Sequence, residues 1–285
     1  MFSLLVAASL VFSAGDAELA FNTAKTLVEK HTPRDSGSVR SQIAANFLLD
    51  AASMTGADVR LDRFTAATPK GKRIFVNLSA KFESNPDSSW VVLVSHYDTK
   101  HGIDCPGAND GASTSGLLVG MANALGNWRR PRGNVMLLWT DGEECMDDYT
   151  ADDGLWGSRH AAEKLKQSGM KIKAVICVDM IGDRDLDIMI PANGDATLAK
   201  IAMHAARKAG HAGRLSFTDV IVTDDHVPFI EAGYKAVDLI DFHFGSAPGL
   251  NDYWHTPSDT IDKISVESLK TSGEIVAKLL DLLLI

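Results

Sequence analysis

Asn134-Val135-Met136-Leu137-Leu138-Trp139-Thr140-Asp141-Gly142-Glu143-Glu144 is an apolar run that breaks, at a glycine, into a pair of acids. Val135–Trp139 has the length and character of a strand buried on both faces, and the polar residues behind it belong to the loop at its carboxyl end. In an open α/β sheet that is where side chains enter a binding crevice. Two adjacent carboxylates at a buried strand end repel each other, so a cation or a raised pKa is expected there. One glutamate can hold a metal while its neighbour, facing elsewhere, moves protons.

The same pattern recurs outward from this segment. Trp90–Ser95 precedes His96-Tyr97-Asp98, and Val175-Ile176-Cys177-Val178 precedes Asp179. Residues i and i+2 share a strand face, so Asp98 is placed to orient the His96 ring. Gly107-Ala108-Asn109-Asp110-Gly111-Ala112-Ser113 opens a small-residue helix, with Asp110 either projecting into the crevice or capping that helix. His255 lies in Tyr253-Trp254-His255-Thr256-Pro257 and, taken alone, reads more readily as structural than as a ligand. Asp147, Asp148, Asp152 and Asp153 read as a solvated acidic loop. Together, histidines and carboxylates at comparable positions, with no cysteine among them, suit a catalytic zinc site better than a structural one.

Periodicity predicts helices over Ala17–Lys30, Val39–Met54, Ser113–Leu125, Gly157–Gln167, Ala196–Ala209 and Ser265–Leu284. Strands are predicted over Val59–Thr65, Ile74–Phe82, Trp90–Ser95, Asn134–Thr140, Ala174–Asp179 and Lys235–Ile240. The alternation implies an α/β fold: a single domain with a mostly parallel, mixed central sheet flanked by helices on both faces. No linker or repeat divides the 285 residues. A net charge of −9 argues against nucleic acid as a partner. Cys105, Cys145 and Cys177 are too few for a disulfide framework, and the first and second are the candidates for a bridge. The apolar N-terminus is too short to span a bilayer, and small residues follow it at Ser13, Ala14, Gly15 and Ala17. Despite lacking a basic start it is predicted as a signal peptide over residues 1–16, with the catalytic domain over 17–285 and a periplasmic or secreted location. The alternative is an N-terminal helix packed on the domain. The oligomeric state is left open.

The order His-x-Asp, Gly-Ala-x-Asp, Glu-Glu, Asp-Met and late His-Thr resembles the co-catalytic zinc aminopeptidases. In that family the residues matching His96, Asp110, Glu144, Asp179 and His255 bind two zinc ions, and the one matching Glu143 activates water. Three further features are closer to a related branch, the zinc-dependent glutaminyl cyclases. They are Gly154-Leu155-Trp156-Gly157-Ser158-Arg159-His160, Thr223-Asp224-Asp225-His226-Val227-Pro228-Phe229, and Trp254 beside His255. This resemblance implies one Zn2+ on Asp110, Glu144 and His255, with His96 and Asp179 available for a second. It implies a hydrogen-bonded catalytic group of Glu143, Asp179 and Asp224, and a substrate pocket containing Trp254, Tyr149 and Asp225. Tyr149 falls where animal cyclases place a pocket tryptophan and Asp238 where they place a histidine; bacterial cyclases look more like this chain at both. The leading expectation is a glutaminyl-peptide cyclotransferase acting on peptides or proteins with N-terminal Gln. The second is a two-zinc aminopeptidase, and the third an exported, non-catalytic binding domain.

Overall fold

Strands β1 (Asp58–Thr68), β2 (Gly71–Phe82), β3 (Trp90–His96), β4 (Asn134–Thr140), β5 (Ile172–Asp179), β6 (Ile188–Ile190), β7 (Leu215–Phe217) and β8 (Ala236–Ile240) form one sheet in the order β1-β2-β4-β3-β5-β8-β6-β7. The computed structural model describes residues 9–128 and 133–284. The central strands β4, β3, β5 and β8 run parallel, as do β6 and β7. The pairs β1–β2, β2–β4 and β6–β8 are antiparallel, which makes the sheet mixed, as expected.

Both faces are covered, which is why β3 and β4 are buried at every position. Val91, Leu93, Leu137 and Ile176 face a core built with helices α1 (Ala14–His31), α2 (Val39–Ser53), α3 (Thr114–Gly126), α5 (Ala196–Lys208) and α7 (Val266–Leu283). Val92, Val94, Leu138 and Val175 face α4 (Trp156–Ser168) and α6 (His226–Glu231). Successive residues of one strand thus supply opposite cores. The chain passes from β3 to β4 on one side and then crosses to β5 on the other, so β3 is the switch point over which a crevice opens.

Strands β6 and β7 and helix α6 were not anticipated. The strands span three residues each, too few for an alternation to register, and α6 is shorter than two turns. The boundary expected after residue 16 falls inside α1. Ser13 caps this helix in a capping box with Asp16, whose Oδ1 also accepts from Asn123. Leu10 and Phe12 are buried in the main core, Phe12 lying against Gly273 of α7 so closely that a Cβ there would meet the ring at 2.2 Å. Removing residues 9–16 would therefore take a cap and two apolar anchors from the fold. Residues 1–8 of the expected leader lie outside the described residues.

Candidate active site

The carboxyl ends of β3, β4 and β5 bring His96, the Glu143–Glu144 pair and Asp179 together. Asp110 arrives on a kinked π-helical turn, Ala108–Ser113, rather than as a helix cap. The kink needs Gly111 at φ 85°, where a Cβ would lie 2.8 Å from the Asp98 carbonyl oxygen and 3.0 Å from the His96 ring. Asp259 fixes the turn by accepting from the backbone N–H groups of Asn109 (2.7 Å) and Asp110 (3.1 Å). Asp98 does not hydrogen-bond His96, whose Nδ1 is 3.6 Å away. It accepts instead from the N–H groups of Glu143 (3.1 Å) and Glu144 (3.2 Å), fixing the backbone of the acidic pair. His255 adopts φ 55°, an uncommon conformation outside glycine, with its ring stacked 3.9 Å from that of Trp254.

Asp110, Glu144 and His255 each present a donor atom within 4.8 Å of the others. His255 Nε2 lies 2.9 Å from Glu144 Oε1 and 3.3 Å from Asp110 Oδ2. Ligands about 2.0–2.1 Å from a tetrahedral zinc ion sit about 3.3 Å apart, so the set fits zinc. Asp110 also turns its Oδ1 to His96 Nε2 at 3.2 Å, and Asp179 Oδ1 approaches the same nitrogen at 3.1 Å, so a second donor group shares Asp110 with the first. Glu144 Oε2 is buried without a hydrogen-bond partner, a lone pair left for a cation. Burial and the charge of Asp110 push Glu144 up to about 7. Burial alone would lower His255, but Asp110 and Glu144 raise it to about 10. Against burial, His255 and His96 hold Asp110 far below the usual carboxylate range. The cluster draws positive charge to itself.

A family model described as Peptidase family M28 matches residues 77–280. The chain belongs to peptidase family M28. Within M28 it sides with the glutaminyl cyclases. It is 32% identical to a solved Acidobacteriales bacterium glutaminyl cyclase, with TM-score 0.87, 99% of this chain and 98% of that one being covered. The glutaminyl-peptide cyclotransferase of Drosophila melanogaster is 27% identical over 81% of this chain and 72% of its own length. Aminopeptidase YwaD of Bacillus subtilis is 28% identical over 77% of this chain but 46% of its own length.

Beside the donor triad, this M28 chain carries an acidic layer. Burial, opposed by His96 and reinforced by Glu144, Asp224 and Asp225, raises Glu143 well above its ordinary range. Burial chiefly lifts Asp179 and Asp224 to about 6 and Asp225 to about 7. Thr140 Oγ1 donates to Asp225, and the Asp225 N–H donates to Asp224. Beneath them Asp238 is fully buried, with Asp224 beside it raising its carboxyl further after burial. Burial lowers His226 to about 4, so this layer contains no cationic histidine. The expected hydrogen-bonded group of Glu143, Asp179 and Asp224 is arranged differently. Asp179 bonds His96, while both oxygens of Glu143 accept from the Tyr149 hydroxyl at 3.0 Å. Charge, not direct hydrogen bonding, couples the three carboxyls.

These groups open into a cavity of about 300 Å³, with Ile240, Phe242 and Trp254 on its apolar wall. Trp254 and Tyr149 therefore line it as expected, whereas Asp225 is fully buried behind Asp224. The contact of Tyr149 with Glu143 was not legible, because nothing in a local pattern shows which way a loop tyrosine turns. Asp153, expected to be solvated, is not. It is buried and accepts from the N–H groups of Met146, Asp147 and Asp148, shaping the loop that carries Tyr149. Cys105, Cys145 and Cys177 are all free and buried, so the candidate bridge between the first two does not form.

Proposed function

We propose that this chain is a zinc-dependent glutaminyl-peptide cyclotransferase, converting N-terminal Gln of a peptide or protein to pyroglutamate and releasing ammonia. The observation that carries the reading is Asp224, buried and coupled by charge to Glu143 where the cavity meets the Asp110–Glu144–His255 triad. Zinc, held by those three residues, supplies Lewis-acid polarisation of the γ-carboxamide oxygen. Glu143 takes a proton from the attacking α-amine and delivers one to the departing ammonia. Its raised pKa suits both halves of that exchange near neutrality. The Tyr149 hydroxyl aims the Glu143 carboxylate, while Asp179 and Asp224 tune its affinity for the proton. Trp254 and Phe242 wall the folded-back glutamine, and because the attack is intramolecular, fixing that shape captures much of the proximity advantage. One zinc ion per chain suffices, with His96 and Asp179 free to orient Asp110 and the acidic layer.

The second reading, a two-zinc aminopeptidase, is favoured by one observation: Asp110 is shared between two complete donor groups. Incubating the zinc-loaded protein with a Gln-initiated and a Leu-initiated peptide separates the two by mass. Loss of ammonia without shortening supports the cyclase, and release of a free amino acid supports the aminopeptidase.

Among the described residues no helix is long and apolar enough to cross a membrane. Export to the periplasm or the outside belongs to this reading through the apolar N-terminus. N-terminal sequencing of the exported protein tests the boundary: a start at Ala17 supports the leader, and a start at or before Ser9 makes residues 9–16 part of the working fold.

A further inference from the structure

The segment between β7 and α6 exposes apolar side chains beside the candidate active site. Val220 is 58% and Ile221 74% exposed, yet both line the same cavity as Glu143 and Trp254. The backbone here is held on both sides. Val220 O accepts from the Ala192 N–H at 2.9 Å, and Val222 exchanges two hydrogen bonds with the Asn193 side chain, at 2.8 and 3.2 Å. Inward and outward residues alternate: Val222 packs with Met180, Ile240 and Phe244, Asp224 is buried, and Ile221 and Thr223 stand outside. Large aliphatic side chains fixed in water at a cavity mouth mark a surface meant to be covered.

We propose that Val220 and Ile221 form the subsite for the residue that follows the N-terminal glutamine, and that this subsite takes a large apolar side chain. The proposal rests on the cyclase reading. With the γ-carboxamide at the triad and the α-amine at Glu143, the glutaminyl residue has one covalent way out, through its carbonyl carbon. The next Cα then lies about 3.8 Å from its own. The second side chain therefore meets the mouth of the cavity, where Val220 and Ile221 stand within the same continuous space. Charge points the same way, since Asp219 is exposed next to Val220 and the cavity lining includes no lysine or arginine. An acidic second residue finds no partner there and an acidic neighbour instead.

The test uses the zinc-loaded enzyme with glutaminamide and with the amides of Gln-Phe, Gln-Gly and Gln-Glu. The ratio of kcat/KM for Gln-Phe over Gln-Gly should be about tenfold, the value expected for covering part of an aromatic side chain. Gln-Glu should be the poorest of the three dipeptides. Val220→Ser with Ile221→Ser should bring the Phe-to-Gly ratio towards one, and Ile221→Lys alone should raise Gln-Glu relative to Gln-Gly. Both positions are exposed, so neither change disturbs the core. A wild-type ratio near one, or a tenfold ratio that survives the double substitution, overturns the subsite while glutaminamide turnover leaves the cyclase reading standing. Absence of turnover on all four compounds overturns the cyclase reading and the subsite with it.

Discussion

Glu143 and Glu144 are neighbours in the chain and open onto two regions of opposite electrostatic design. Around Glu144, carboxylates meet imidazoles: His255 is 2.9 Å away and Asp110 is shared between His255 and His96. Around Glu143 the neighbours are a phenol and further carboxyls, and the one histidine below them, His226, stays neutral. The first region collects positive charge and suits a metal ion, whereas the second raises the proton affinity of its acids and suits a proton store. A single residue step separates the two, and Asp98 fixes that step by holding both backbone N–H groups.

The largest expected effect comes from breaking the first region. Glu144→Ala removes a donor and leaves two others too few, so zinc content should fall well below one per chain and turnover should disappear. Metal analysis after dialysis checks this, and a variant that keeps its zinc would contradict the assignment of Glu144. Glu143→Gln should do the reverse, keeping zinc while kcat falls about 10²–10⁴-fold, because the amide cannot take the amine proton. If Gln at 143 stripped the metal and Ala at 144 did not, the two regions would have been assigned the wrong way round.

Asp224→Ala probes the second region without touching a triad donor. It removes one of the charges that lift Glu143, so kcat should drop on the order of 10²-fold and the acid limb of its pH profile should move to lower pH. Near-full activity with an unshifted profile would reduce Asp224 to a turn residue and favour the aminopeptidase. Tyr149→Phe keeps the ring and removes the hydroxyl from Glu143. Loss of a hydrogen bond to a charged group should cost about tenfold in kcat with KM little changed. An equal loss in KM alone would make Tyr149 a substrate contact only.

The smallest effect is on stability, and its sign follows from the raised carboxyls. Asp225, lifted to about 7 from an ordinary value near 3.8, favours the folded state when protonated. Its contribution is complete below about pH 4 and is lost as pH rises through about 7, at about 1.4 kcal/mol for each pH step of one between those limits. Asp225→Asn keeps the shape and cannot ionise. Thermal midpoints of metal-free protein should therefore fall less between about pH 4 and about pH 7 in the variant than in the wild type. Parallel curves would mean that Asp225 is not protonated in the fold.

Much of the sheet is legible because burial writes itself into composition. Asn134–Thr140 matches its expected bounds to the residue, and Trp90–His96 and Ile172–Asp179 match to within two, since parallel strands covered on both faces must be continuously apolar. The short strands Ile188–Ile190 and Leu215–Phe217 leave no such trace, because three residues at a sheet margin need little hydrophobic surface. The N-terminal segment shows the opposite failure. Leu10 and Phe12 carry the composition of a leader, and that composition equally suits a segment inserted between α3 and α7.

By itself, the sequence determined the fold class, the strand ends that bear His96, Glu143–Glu144 and Asp179, and a donor chemistry suited to zinc. These follow from local patterns, in which an apolar run must be buried and the polar residue that ends it must emerge. Only the tertiary structure decided which partner each polar atom meets. Asp98 serves the backbone of the glutamates rather than His96, Tyr149 bonds Glu143, Asp153 is buried, and Asp259 holds the Asp110 turn from 149 residues away. Hydrogen bonds between distant segments depend on where chain crossings bring them. No local period encodes that position, and it is set when the two faces of the sheet are packed.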